Sequence, residues 1–261
     1  MMFKLNTFHF VFMSPWPLFV SFSSFNFFLS IIIWMNYGNF IFLIMAMFNI
    51  MFCSYVWWRD VDRESSFLGS HSLKVKYGLK FGMILFIVSE VMFFFSFFWS
   101  FIHGSSSSDV TMGASWPPEQ VFPFDPMSVP LVNTIVLLSS GASVTWSHHS
   151  ILKNKMMVSS ISLFFTIMLG VFFTILQYLE YLGSPFSISD SDMGSTFFMA
   201  TGFHGIHVII GSTFLMIEFI KNVFYVNTNS QIVGFECSAW YWHFVDVIWL
   251  FLYSLIYWWG S

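Results

Sequence analysis

Apolar residues in this chain come in long runs separated by short polar breaks. A hydrocarbon core about 30 Å thick needs about 20 apolar residues at about 1.5 Å rise each. Runs of that length lie near 16–35, 40–58, 77–103, 131–149, 158–181, 195–220 and 236–258. The breaks carry turn and polar signals: Asn36-Tyr37-Gly38-Asn39, then 59–76, 104–130, Gly183-Ser184-Pro185 and 227–234. The pattern predicts an all-α polytopic membrane protein of seven transmembrane helices. Residues 1–261 are expected to form one transmembrane domain, helices 1 and 2 near 16–58 and helices 3 to 7 near 77–258. The first 20 residues hold one basic residue, Lys4, and no apolar stretch ending in a small-residue cleavage site, so the first run is expected to stay as a span.

Charge sharpens the picture. Only 8% of the residues are charged, against roughly 25% in soluble domains, so lipid must be the outer solvent. Put the N-terminus on side A and thread seven spans. Side A then receives Lys4, Arg59, Arg63, Lys74, Lys76, Lys80, Lys153, Lys155 and Lys221, which are all nine basic residues. Side B receives Asp109, Glu119, Asp125, Asp190 and Asp192. A wrong span count would scramble this partition. By the positive-inside rule side A faces the compartment of synthesis, the matrix in a mitochondrion, and the C-terminus lies outside. Trp57-Trp58 and Trp258-Trp259 close spans at headgroup depth. The net charge of -4 comes with no basic stripe for nucleic acid. The 38 Phe and 17 Met suit an AT-rich, organellar genome. Cys53 and Cys237 make neither a disulfide framework nor a metal motif and read as small packing residues.

Small residues mark expected helix contacts: Gly78 and Gly82 in the third span, Ser139 to Ser143 in the fourth, and Gly202, Gly205 and Gly211 in the sixth. No internal repeat is found, against a repeat-built transporter.

A charge at mid-bilayer costs at least about 2.5–3.5 kcal/mol, which makes each one a functional candidate. Glu90 lies near the centre of the third span. It reads as a proton-handling acid, with a neutral carboxyl hydrogen-bonded inside the bundle as the alternative. His204 and His207 are three apart on the sixth span, as are His243 and Asp246 on the seventh. These four are expected to make polar contacts between helices. Metal ligation is disfavoured, because a site needs three or four ligands and no Cys or Glu-x-x-His accompanies them. His148-His149 is expected at headgroup level. The segment Arg59-Asp60-Val61-Asp62-Arg63-Glu64 after Trp58 suits lipid phosphate or else pairs with itself, and Lys221 suits another headgroup. No Ser-His-Asp order, P-loop or nucleotide fingerprint is present.

Longer motifs carry a resemblance. They include Trp57-Trp58-Arg59-Asp60-Val61 with Arg63-Glu64-Ser65, Gly82-Met83-Ile84-Leu85-Phe86 with Ser89-Glu90-Val91, and Trp116-Pro117-Pro118. Thr145-Trp146 with His148-His149-Ser150, Ser195-Thr196-Phe197-Phe198, and Thr201-Gly202-Phe203-His204-Gly205 with His207-Val208-Ile209-Ile210-Gly211 follow. The C-terminal run holds Ala239-Trp240-Tyr241-Trp242-His243-Phe244-Val245-Asp246 and Tyr257-Trp258-Trp259-Gly260-Ser261. Over nearly its whole length the chain resembles cytochrome c oxidase subunit III. The departures are Ser70 before His71, where relatives often carry a second His, the stretch Ser105 to Ser108, and a divergent N-terminal third.

The resemblance implies two helices and five around a lipid-filled cleft. Trp58, Arg59, Arg63, Glu64, His71 and Lys221 would be lipid contacts, and Glu90 the prominent buried acid. It implies no catalytic residue, haem or copper in this chain. Those cofactors would belong to partner subunits, with subunit I as the main contact beside subunit II, accessory subunits and structural phospholipids. The expected setting is respiratory complex IV in the mitochondrial inner membrane, which reduces oxygen with electrons from cytochrome c and pumps protons. The alternatives are a stand-alone proton or ion transporter using Glu90, His207 and Asp246, and an intramembrane haem enzyme.

Overall fold

The computed structural model describes Val11 and residues 13–66, 68–108, 115–118, 121–224 and 232–260. Among them the chain is all-helical, with seven helices long and apolar enough to cross a membrane and no strand. They are α1 (Trp16–Tyr37), α2 (Ile41–Ser66), α3 (Leu73–Ser106), α4 (Val129–Leu152), α5 (Met156–Leu182), α6 (Asp192–Val223) and α7 (Val233–Leu252). A π-helical segment, Tyr253–Trp258, continues α7. Each predicted run became a helix, but several helices overrun their runs. Segment 59–66, expected as a loop, forms the last two turns of α2, and Lys74, Lys76 and Lys80 lie on the first turns of α3. Hydropathy marks where lipid ends, whereas the backbone ladder continues until something caps it.

Two compact units divide between Gly78 and Leu79. In the first, α1 and α2 form a hairpin. Pro17 stands in the first turn of α1, where its missing N–H costs nothing. Gly38 ends the helix with φ +67, a left-handed conformation that suits glycine, and its N–H donates to the Trp34 carbonyl at 2.8 Å. The buried positions Ser23, Ser30, Ala46 and Val56 are mostly small, which lets the two backbones approach. Trp16 Nε1 donates to Asp60 Oδ2 at 2.7 Å and ties the start of α1 to the end of α2.

In the second unit α4 packs on α5, α5 on α6, α6 on α7, and α7 returns to α4. Trp242 of α7 occupies the middle. A Cβ placed on Gly170 of α5 would lie 2.8 Å from its ring, and one on Gly211 of α6 would lie 2.9 Å from it. Both positions therefore need glycine for the close approach. The indole Nε1 donates to Ser140 Oγ of α4 at 2.9 Å, so one residue joins four helices. Hydroxyl contacts repeat the theme: Ser143 with Thr166 at 2.8 Å, Ser147 with Ser159 at 2.8 Å, and Asn222 Nδ2 donating to Ser159 Oγ at 3.0 Å. Within the membrane such bonds contribute roughly 0.6 kcal/mol each on average. α3 leans on α6 and α7 through long side chains, with Phe93, Phe94 and Phe97 set against Phe203, His207 and Phe244. Gly82 and Gly205 meet nothing within 4 Å, so they mark no close contact within this unit.

Candidate functional site

The mid-membrane acid of α3 has a partner 117 residues away. His207 Nε2 and Glu90 Oε2 are 3.0 Å apart, and Nδ1 of the same ring is 2.7 Å from the Phe203 carbonyl one turn earlier. A carbonyl oxygen only accepts, so Nδ1 must carry a hydrogen. Two forms remain. Either the Glu90 hydroxyl donates to a bare Nε2, or an imidazolium Nε2–H donates to a carboxylate. In both, one proton lies between Oε2 and Nε2.

Aromatic rings enclose this proton. Phe94 meets the His207 ring edge-on at 5.0 Å, while Phe93 and Tyr241 stack beside it at 6.5 and 6.2 Å. The carboxyl side chain keeps 22% of its surface exposed and the imidazole 11%. The pair therefore borders the surface of its unit instead of lying at the centre.

The other intramembrane residues separate. His204, one turn from His207, faces α7, where its Nε2 donates to the Val245 carbonyl at 3.2 Å. The two histidines do not converge on a common ligand. Asp246 faces Gly141, and its Oδ2 is 3.9 Å from Nδ1 of His243, a residue whose side chain is 41% exposed. No hydrogen bond or ion pair links Asp246 to Glu90 or His207 among the described contacts. Among the described residues no group of three or more His, Cys, Asp or Glu could hold a metal ion.

The proposed lipid contacts fall in different places. Trp58 is exposed on α2. Arg59 pairs with the neighbouring Asp60 at 3.0 Å, and Arg63 reaches the same carboxylate at 4.0 Å with 62% of its side chain exposed. The segment thus pairs partly with itself and still presents guanidinium outward. The Glu64 carbonyl accepts from the Ser70 N–H at 3.1 Å in the turn leading to His71, which is half-buried. Lys221 lies in the second unit and bonds Glu218 at 3.0 Å, one turn earlier on α6. His148 turns into its unit and stacks on Phe235 at 5.7 Å, while His149 is exposed. Asp109 and Glu119, assigned to side B, lie outside the described residues, as does Lys4.

Several polar groups escaped the sequence reading. Lys80 of α3 forms an ion pair with Glu236 at the start of α7. Glu218 and Glu180 are buried carboxyls inside predicted spans, and Gln177 accompanies the second. The rule that singled out Glu90 applies equally to them, since an acid inside an apolar run needs a partner wherever it lies in the run.

Comparison with known proteins adds the family. The family described as cytochrome c oxidase subunit III matches residues 6–261. The proteins named cytochrome c oxidase subunit 3 from Ceratotherium simum and Aepyceros melampus are each 50% identical over 258 residues, covering 99% of this chain and 99% of the relative. The same figures hold for that of Tragelaphus imberbis. With the seven spans and motifs distributed along the whole chain, the match is end to end, and the chain belongs to the cytochrome c oxidase subunit III family.

Proposed function

We propose that this chain is a non-redox core subunit of an oxidase in the mitochondrial inner membrane, with its N-terminus in the matrix and its C-terminus in the intermembrane space. The oxidase passes electrons from cytochrome c to oxygen, forms water and pumps protons. Haem and copper belong to partner subunits. This chain stabilises subunit I, holds phospholipid and supports proton uptake. Family membership supports a place in an oxidoreductase complex. The finer reading is carried by one observation: Glu90 Oε2 inside a span is 3.0 Å from His207 Nε2, whose ring is anchored through Nδ1 on the Phe203 carbonyl.

Such a pair can hold a proton in a medium where a lone charge is costly, and pass it between Oε2 and Nε2 with little movement of heavy atoms. Basic residues gathered on one side, Arg63 and Lys153 among them, would attract anionic headgroups there and concentrate mobile protons near an uptake entrance. Glu90→Gln tests the proton role, because the amide N–H can still donate to Nε2 while carrying no exchangeable acid proton. The intact oxidase with this change is expected to turn over more slowly and to inactivate after fewer turnovers. Unchanged turnover, pumping and lifetime would remove Glu90 from the account. For the lipid role, replacing Arg59 and Arg63 together is expected to lower the phospholipid that co-purifies. Equal lipid content by mass spectrometry would dismiss that contact.

A further inference from the structure

The hydrogen bonds of His207 hold two atoms of its ring and leave one motion open. Nδ1 is 2.7 Å from the Phe203 carbonyl and Nε2 is 3.0 Å from Glu90 Oε2. Rotation about the line through the two nitrogens keeps both in place but swings the ring plane. An N–H lies in that plane, so the swing carries it out of line with its acceptor. Such bonds prefer angles above about 150° and weaken steeply below about 120°. A ring kept in line therefore needs support on its faces.

Successive rings with nearly parallel planes give that support. Phe86 lies 6.3 Å from Tyr241 at 23°, Tyr241 lies 6.2 Å from His207 at 21°, and His207 lies 6.5 Å from Phe93 at 29°. These spacings fall within the roughly 4.5–7 Å of offset stacking. Phe86 and Phe93 both belong to α3 and stand about one turn before and after Glu90. The stack thus runs from α3 to α7 to α6 and back to α3. The helix that carries the acid also supplies both outer rings.

Tyr241 is the firmest member. It is 1% exposed, whereas Phe86 is 46% and Phe93 37% exposed. Phe214 and Phe244 press on it at 5.6 and 6.1 Å. A Cβ placed on Gly211, one turn beyond His207 on α6, would lie 3.4 Å from the Tyr241 ring. The imidazole therefore has one fixed wall, and that wall is Tyr241. Among the described contacts the Tyr241 hydroxyl bonds neither Glu90 nor His207, so the contribution is that of the ring.

We infer that Tyr241 is a positioning residue for the Glu90–His207 pair, an assignment that takes its purpose from the proton role proposed above. Its face keeps the imidazole plane aligned, so Nε2 stays aimed at Oε2 whichever of the two atoms carries the hydrogen. Donor and acceptor can then exchange roles without rotation of the ring. Without that face, Nδ1 would keep its anchor on Phe203 while the ring tilts and the bond to Glu90 lengthens or bends.

The test uses infrared difference spectra of the intact oxidase. The Glu90 band, from carboxyl or carboxylate, is the one lost in Glu90→Gln. In Tyr241→Leu, which removes the ring, this band is expected to shift and broaden towards its form in His207→Ala, where Nε2 is gone. Tyr241→Phe keeps the ring and is expected to restore the natural band. An unmoved band in Tyr241→Leu, or equal displacement in Tyr241→Phe, would overturn the assignment. If Tyr241→Leu fails to assemble, Phe86→Leu removes an outer ring at an exposed position. It is expected to move the band in the same direction by less, and an unmoved band there would also overturn the assignment. Inactivation lifetime separates this role from the proton role. A displaced band with a shortened lifetime supports both, whereas a displaced band with the natural lifetime keeps Tyr241 as a positioning residue and removes the proton role.

Discussion

Asp190 shows how much one carboxylate can fix in a short connection. It accepts the Ser187 N–H at 2.7 Å and the Ser187 hydroxyl at 2.8 Å in the turn between α5 and α6. These two bonds to the charged form, the backbone one foremost, hold its carboxyl below the ordinary value of 3.8. Its contribution to order is therefore complete above 3.8 and fades as the pH falls through the lower, folded value. Protection of residues 183–191 against hydrogen exchange, taken relative to the intrinsic rate at each pH, is expected to fall in that acid window in the natural chain. In Asp190→Asn it is expected to be lower at neutral pH and flat across the same window. A pH response identical in both proteins would assign it to another group. Individual residues were unevenly legible in the sequence. Glu90 stood out because it interrupts an apolar run at its midpoint. Its bond to His207 did not, since spacing along one helix says nothing about which of six other helices supplies the partner. Glu180 was passed over because it lies near the end of its run, where a carboxyl is easily taken for a headgroup-level residue; in the fold it is 5% exposed.

At the scale of elements, the Trp242 slot sets the spacing of α4 to α7. Gly211→Ala and Gly170→Ala each place a methyl against the indole, and neither glycine's helix can withdraw without losing its other contacts. Overpacking of this kind costs about 1–3 kcal/mol. Either change is expected to lower the thermal midpoint of the purified complex by several degrees, and an unshifted melt would show that the slot is looser than described. Trp242→Phe removes the bond to Ser140 and part of the packing, and a loss of about 1–3 kcal/mol is expected in the same assay. Seven helices could be read from apolar run length alone, because a span must satisfy its own backbone and must match the lipid thickness. Helix ends could not, as the two extra turns of α2 show. Nor could close contacts be told from other glycines: Gly211 and Gly205 belong to one motif, yet only the first lies against a ring.

For the whole molecule, the separation of charge along the chain is the strongest statement the sequence makes. When seven spans are threaded, all nine basic residues are assigned to one side, at helix ends or in the segments beyond them, and the described residues supply those seven spans. Labelling sealed mitochondria is expected to find the termini on opposite faces and Arg59 and Lys153 both shielded from outside reagents. What length and charge leave out is company. Many exposed aromatic and aliphatic side chains, among them Phe28, Phe48, Phe164 and Trp146, suit lipid and subunit neighbours equally well. The family supplies the complex, and the division of labour within it is the central claim. It is tested most directly by stripping this chain from the purified oxidase and following metal, haem and lifetime together. The account predicts that haem and copper stay with the remaining subunits, that oxygen reduction starts at a comparable rate, and that activity then decays after far fewer turnovers. Haem or copper leaving with this chain, or an undiminished lifetime without it, would contradict the account.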